Sequence, residues 1–99
     1  MKITIIGLGV IGGSFAMALN ALNEHEIYGV DRNKDTLEKA LDLGIITKGC
    51  TSGDEFIKES DLIIIGLYPS LVIDFLKKNK DNFKDGAVIT DATGIKKLF

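Results

Sequence analysis

Three glycines at positions 7, 9 and 12 stand directly behind an apolar run and directly ahead of an amphipathic one, and no other feature restricts this chain as strongly. Ile3-Thr4-Ile5-Ile6 is an unbroken row of β-branched residues, the pattern of a short buried strand. Beyond the glycines, Ile11, Phe15, Ala18, Leu19 and Leu22 recur at helical spacing. Strand, G-x-G-x-x-G, helix is the dinucleotide-binding arrangement in the context that gives the motif its meaning. Gly7 allows a tight turn out of the strand through dihedrals that a Cβ forbids. Gly9 lets the backbone approach a pyrophosphate, and Gly12, backed by Ala16 one turn on, lets the helix lie close to the sheet. The helix start then offers unpaired N–H groups and the positive end of its dipole to phosphates.

A secretory leader competes for the same residues. Ile3 to Asn23 carry no charge, follow a single Lys, and include Ala16-Met17-Ala18, similar to a signal-peptidase site. A leader needs a continuous apolar core, whereas Gly7, Gly9, Gly12 and Gly13 interrupt this one and the helix is apolar on one face only. The glycine turn is the better reading.

With 99 residues the chain makes one domain, 1–99, large enough to bury an independent core. A net charge of −2 argues against a nucleic-acid partner. No uninterrupted 18-residue apolar run suggests a membrane span, and no metal-ligand spacing occurs. Cys50 is the one thiol, so an internal disulfide is ruled out and a reducing cytoplasm is expected.

Taken in order, Glu26 to Val30 reads as strand two, ending on Asp31. Asn33 is placed to cap a second helix with Leu37, Ala40 and Leu41 on its buried face, and Gly44 to stop it. Either Ile45 to Thr47 or Cys50-Thr51 supplies a short third strand, followed by a short helix over Gly53 to Glu59. Leu62 to Ile65 is continuous enough to be a central parallel strand covered on both faces. Pro69 opens another helix with Leu71, Phe75 and Leu76 inward, and Ala87 to Thr90 forms strand five, ending on Asp91. Alternating strands and helices imply an α/β fold, a Rossmann-type doubly wound parallel sheet in order 3-2-1-4-5, incomplete at its C-terminal end. A further helix is expected to begin just before Phe99.

Ligands of such sheets bind where the strand order reverses, at the carboxyl ends of strands one and four. The candidate cofactor-binding residues are therefore Gly7, Leu8, Gly9, Val10, Ile11, Gly12 and Ser14 around the pyrophosphate. Asp31, 24 positions past Gly7, is spaced to accept the ribose hydroxyls. Its charge opposes a 2′-phosphate and favours NAD over NADP, while neighbouring Arg32 pulls the other way. Leu67, Tyr68 and Pro69 follow strand four, and Asp91 and Thr93 follow strand five, on the same edge. No catalytic residue is assigned. His25, the only histidine, precedes strand two at the opposite edge, and Cys50 has no histidine near it in sequence.

In this order, four segments resemble the N-terminal part of the prephenate dehydrogenase family. They are Gly7-Leu8-Gly9-Val10-Ile11-Gly12-Gly13-Ser14, Tyr28-Gly29-Val30-Asp31-Arg32-Asn33, Ala40-Leu41-Asp42-Leu43-Gly44-Ile45-Ile46 and Thr90-Asp91-Ala92-Thr93-Gly94-Ile95-Lys96. The chain differs in having Thr93-Gly94 where many members carry Gly-Ser, and in the bulk of Gly66-Leu67-Tyr68-Pro69. The resemblance implies NAD(P)-dependent oxidative decarboxylation of prephenate or arogenate in tyrosine biosynthesis. It also implies a small-molecule substrate, a catalytic histidine and a helical homodimerisation domain, all beyond Phe99, so the chain is expected to be a fragment that binds cofactor without turnover. Other hydroxyacid dehydrogenases, pyrroline-5-carboxylate reductase, a nucleotide-sensing regulatory module and a stand-alone binding protein remain the alternatives.

Overall fold

The rows Ile3 to Ile6 and Leu62 to Ile65, rich in β-branched residues, lie in neighbouring strands of one sheet. The computed structural model describes residues 1–8, 25–52, 54–67, 69–91 and 96–98. Its strands are β1 (Lys2–Ile6), β2 (Glu26–Val30), β3 (Lys48–Cys50), β4 (Leu62–Ile65), β5 (Val88–Asp91) and β6 (Lys96–Leu98). Its helices are α1 (Lys34–Asp42), α2 (Asp54–Glu59) and α3 (Pro69–Asn79). The helix expected after the glycine turn lies outside the described residues.

The sheet order is β3-β2-β1-β4-β5-β6. The first five strands run parallel, with Ile3 beside Ile27 on one side and beside Leu62 on the other. Side chains alternate across the sheet, so β1 feeds two cores. Ile3 and Ile5 pack with Ile27, Ile64, Ile46 and the inward residues of α1, Leu37 and Ala40. Ile6 packs with Val30, Ile63, Ile65, Ile89 and Ile57 of α2, and Val72, Phe75 and Leu76 of α3 close that side. Burial on both faces is why β4 reads as an unbroken apolar run.

One buried polar pair sits within the second layer. Ser60 Oγ donates to the carbonyl of Phe56, which leaves the Thr4 hydroxyl to donate to Ser60 Oγ. Nearby, Tyr28 stacks on Phe56 with centroids 4.7 Å apart. Its hydroxyl donates to Glu26, and this bond, with burial and the charges of Glu26 and Glu59, pushes its pKa up to about 12.

Both ends of α1 are as expected. The Asn33 side chain accepts from the N–H groups of Asp35 and Thr36. At the other end Gly44 has φ +69°, with Gly44 N–H donating to Leu41 O and Ile45 N–H to Ala40 O, a Schellman pair.

Three expectations need correction. Leu41 is 42% exposed, because Leu37 and Ala40 centre the buried stripe and Leu41, about 100° round the helix from Ala40, falls at its margin. The third strand falls between the two expected positions: Ile45 closes the helix cap and Ile46 enters the core, so pairing starts at Lys48. The C-terminal segment is a strand, not a helix, and β6 runs antiparallel to β5. Four residues separate β5 from β6, too few for the crossover that a parallel strand requires.

At the amino edge of the sheet, Asp61 ties β4 to two other segments. Its Oδ2 accepts from Lys2 N–H at 2.9 Å and its Oδ1 from the Lys84 ammonium. Lys84 first, then the Lys2 N–H, hold its pKa below the ordinary 3.8. A carboxylate depressed in the folded state stabilises the fold above its unfolded pKa and ceases to do so as pH falls through the folded value. The stability difference between the native chain and Asp61→Asn should therefore be present at neutral pH and shrink on acidification below that ordinary value. Urea titrations at several pH values test this, and a difference unchanged in acid would remove Asp61 from the account.

Candidate functional site

The strand order reverses between β2-β1 and β4, and the backbone there is laced together just past the strand ends. Gly7 N–H donates to Val30 O and Gly66 N–H to Ile6 O, both at 2.7 Å, while Asp31 N–H reaches Cys50 O at 3.2 Å. Gly7, Asp31, Gly66 and Cys50 thus form a continuous rim along the carboxyl ends of four strands.

Gly7 turns out of β1 with φ +85°. A Cβ here would lie 2.8 Å from the carbonyl oxygen of Gly66 and 3.1 Å from Leu67 Cδ2. Absence of a side chain therefore serves both the turn and the close approach of two backbones at the point of reversal.

Asp31 is held by two backbone donors. Leu8 N–H donates to Oδ2 and Asn33 N–H to Oδ1, each at 2.9 Å. An ionised carboxylate has about four acceptor positions, and the described residues occupy two of those on Asp31. The glycine turn and the acid, 23 residues apart, are thereby one unit. Arg32 follows on the exposed surface.

Other expected site residues divide by position. Leu8 turns its side chain into the core at 7% exposure, and Leu67, half-buried, packs against the second core layer just past the end of β4. Pro69 is the first residue of α3, and Asp91 pairs with Ile65 at the carboxyl edge, one strand beyond β4. Gly9, Val10, Ile11, Gly12, Ser14, Tyr68 and Thr93 lie outside the described residues.

Two contributors were not foreseen. Asn33 N–H on Asp31 is an Asx turn, which Asp followed two places on by Asn could have suggested. Gly29, inside β2, is the other: a Cβ there would meet Leu8 Cδ1 at 2.8 Å and Ile46 Cδ1 at 2.9 Å. A glycine within a strand often marks such a close approach.

The opposite edge carries an open cleft of about 580 Å³ that includes Lys2, His25, Glu26, Glu59, Asp61 and Lys84. Its charges are used on one another: Lys2 meets Glu59 at 3.3 Å, Lys84 meets Asp61, and Glu26 accepts from Tyr28. His25 lies here, away from the reversal point, with a buried Nδ1 that has no hydrogen-bond partner among the described residues.

A parallel sheet in order 3-2-1-4-5, with a glycine turn and a clamped acid where the order reverses, defines a Rossmann-type dinucleotide-binding fold. Residues 15–99 match the family model described as prephenate dehydrogenase, nucleotide-binding domain. The chain belongs to that family. It is 39% identical over 100 residues to the prephenate dehydrogenase of Lactococcus lactis subsp. cremoris, which covers 96% of this chain and 27% of the relative. Prephenate dehydrogenase from A. aeolicus, solved with hydroxyphenyl propionate and NAD+, is 33% identical with a TM-score of 0.82, over 92% of this chain and 32% of that one. Synechocystis arogenate dehydrogenase is 28% identical with a TM-score of 0.83, over the same shares of 92% and 32%. The chain thus spans about a third or less of the length of each of these relatives.

The Gly7 approach can be measured against a second glycine. Gly86 also has a positive φ, +83°, but open space where its Cβ would be. Gly86→Ala should cost about 1–2 kcal/mol of dihedral strain alone, and Gly7→Ala distinctly more because it also strikes the Gly66 carbonyl. Equal losses in chemical denaturation would show that the close approach does not matter.

Proposed function

We propose that this chain is the cofactor-holding part of an NAD-dependent prephenate dehydrogenase. The enzyme would convert prephenate to 4-hydroxyphenylpyruvate by oxidative decarboxylation in tyrosine biosynthesis. The observation that carries the reading is the clamped Asp31 carboxylate beside the Gly7 turn. Family membership and the NAD+ held by the A. aeolicus relative support it.

The residues present fit such a cofactor. Gly7, with φ +85°, turns the chain out of β1 at the reversal point, where such folds hold a pyrophosphate. Asp31 accepts the adenosine ribose hydroxyls at carboxylate positions beyond those its two backbone donors take, and its charge repels a 2′-phosphate. When bound, the nicotinamide ring supplies the acceptor for the hydride that leaves the hydroxyl-bearing carbon of prephenate, while the carboxylate on the ring departs as carbon dioxide. As the hydride leaves, the hydroxyl oxygen becomes strongly acidic, and a base beside it would hold its proton until the aromatic ring forms and the product hydroxyl keeps it. The chain has no histidine placed for this, since His25, its only one, stands at the other edge. We therefore assign proton handling, substrate contacts and homodimerisation to the two thirds of the enzyme that the relatives have beyond the matched region. The lone thiol, Cys50, suits the reducing cytoplasm in which we place this enzyme.

Two measurements test the reading. Calorimetry should show tighter binding of NAD than of NADP, with Asp31→Ala losing about tenfold in NAD affinity through its charge-assisted bonds; preference for NADP would overturn the cofactor assignment. Incubated with prephenate and NAD, the purified chain should form no NADH. Sustained turnover would mean that an acid–base group has been missed within these 99 residues.

A further inference from the structure

We propose that Leu8 is a positioning residue for cofactor selectivity, seated in a notch floored by Gly29, where it fixes the carboxylate of Asp31 through its own N–H. The proposal rests on the reading of Asp31 as the ribose acid. The two ends of Leu8 do different things. Its side chain, 7% exposed, belongs to the core layer of Ile27, Leu37, Ala40 and Ile46. Its backbone N–H donates to Asp31 Oδ2 at 2.9 Å.

The seat exists because β2 and β3 place two glycines side by side, Gly29 against Gly49. A methyl on Gly29 would stand 2.8 Å from Leu8 Cδ1, and one on Gly49 would stand 3.2 Å from Ile46 Cδ1 and 3.1 Å from Leu37 Cδ2. Ile46 and Leu37 wall the notch, and Leu8 fills it next to Gly29. Packing at this density transmits a displacement of one side chain to its own backbone. Moving Leu8 therefore moves the donor that holds Oδ2, while Asn33 still holds Oδ1. A carboxylate held by one donor can swing away from a 2′-phosphate. Held by two, it cannot, and the repulsion is felt in full.

Selectivity is thus the proper readout, since general loosening of the fold weakens both dinucleotides alike. Dissociation constants for NAD and NADP would be measured by calorimetry on this chain, with unfolding midpoints, for Leu8→Ala, Leu8→Met and Gly29→Ala. Leu8→Ala and Gly29→Ala should lower the NAD-over-NADP ratio by about fivefold, as the loss of one charge-assisted bond implies. Leu8→Met, which conserves volume, should keep the ratio near the native one. Where Leu8→Ala does not fold, Gly29→Ala combined with Ile46→Val stands in for it: the valine removes Cδ1 and leaves only Cγ2, at 3.3 Å, so the tight contact of the added methyl is with Leu8 Cδ1 at 2.8 Å. Folded variants that keep the native ratio overturn the proposal and leave the function standing. A native chain with no preference for NAD overturns both.

Discussion

The carboxylate of Asp31 joins the exit of β1 to the start of α1, just past the end of the β1–β2 ladder. One oxygen takes the N–H of Leu8, at the exit of β1, and the other takes the N–H of Asn33, which itself caps α1. Turn, acid and helix start are consequently fixed together. Charge-assisted bonds from backbone N–H groups are among the stronger polar contacts available to a protein, and they use backbone donors that no strand partner satisfies at that point. The parallel ladder beneath supplies the frame, since Gly7 and Gly66 each continue it one residue past the strands.

Much of this was legible in the residues because several levels agreed. Leu62 to Ile65 is apolar without alternation, and a strand covered on both faces has no other way to read. Asn33 and Gly44 bracket α1 with the side-chain chemistry its two ends require. The segments that were misread are those where local pattern and tertiary demand diverge. Ile45 and Ile46 look like strand residues, yet one closes a helix cap and the other fills the core above Gly29 and Gly49. Lys96 to Leu98 looks helical in isolation, but it follows β5 so closely that an antiparallel return satisfies the open edge instead.

The site was legible to a different depth. Gly7 and Asp31 declare themselves by spacing, since a turn and an acid at the ends of adjacent parallel strands must meet at one edge. What spacing does not give is which atoms hold the acid. That depends on a hydrogen bond across 23 residues and on the direction of the Leu8 side chain, which is decided by the missing side chain at Gly29. Leu8, expected at the ligand, faces the core for the same reason.

Charge completes the distinction between the two edges of the sheet. At the amino edge, Lys2, Glu59, Asp61 and Lys84 neutralise one another in pairs, and Tyr28 caps Glu26. Those groups close the structure and leave little unmet demand for a ligand. At the carboxyl edge, Asp31 is held by neutral N–H donors, and among the described residues no cation pairs with it, while its position is fixed. A charge fixed in position discriminates among ligands, because a partner must meet it where it stands. The paired charges thus tie strands together at the amino edge, and the Asp31 carboxylate, on our proposal, is the charge that meets the ligand at the reversal of strand order.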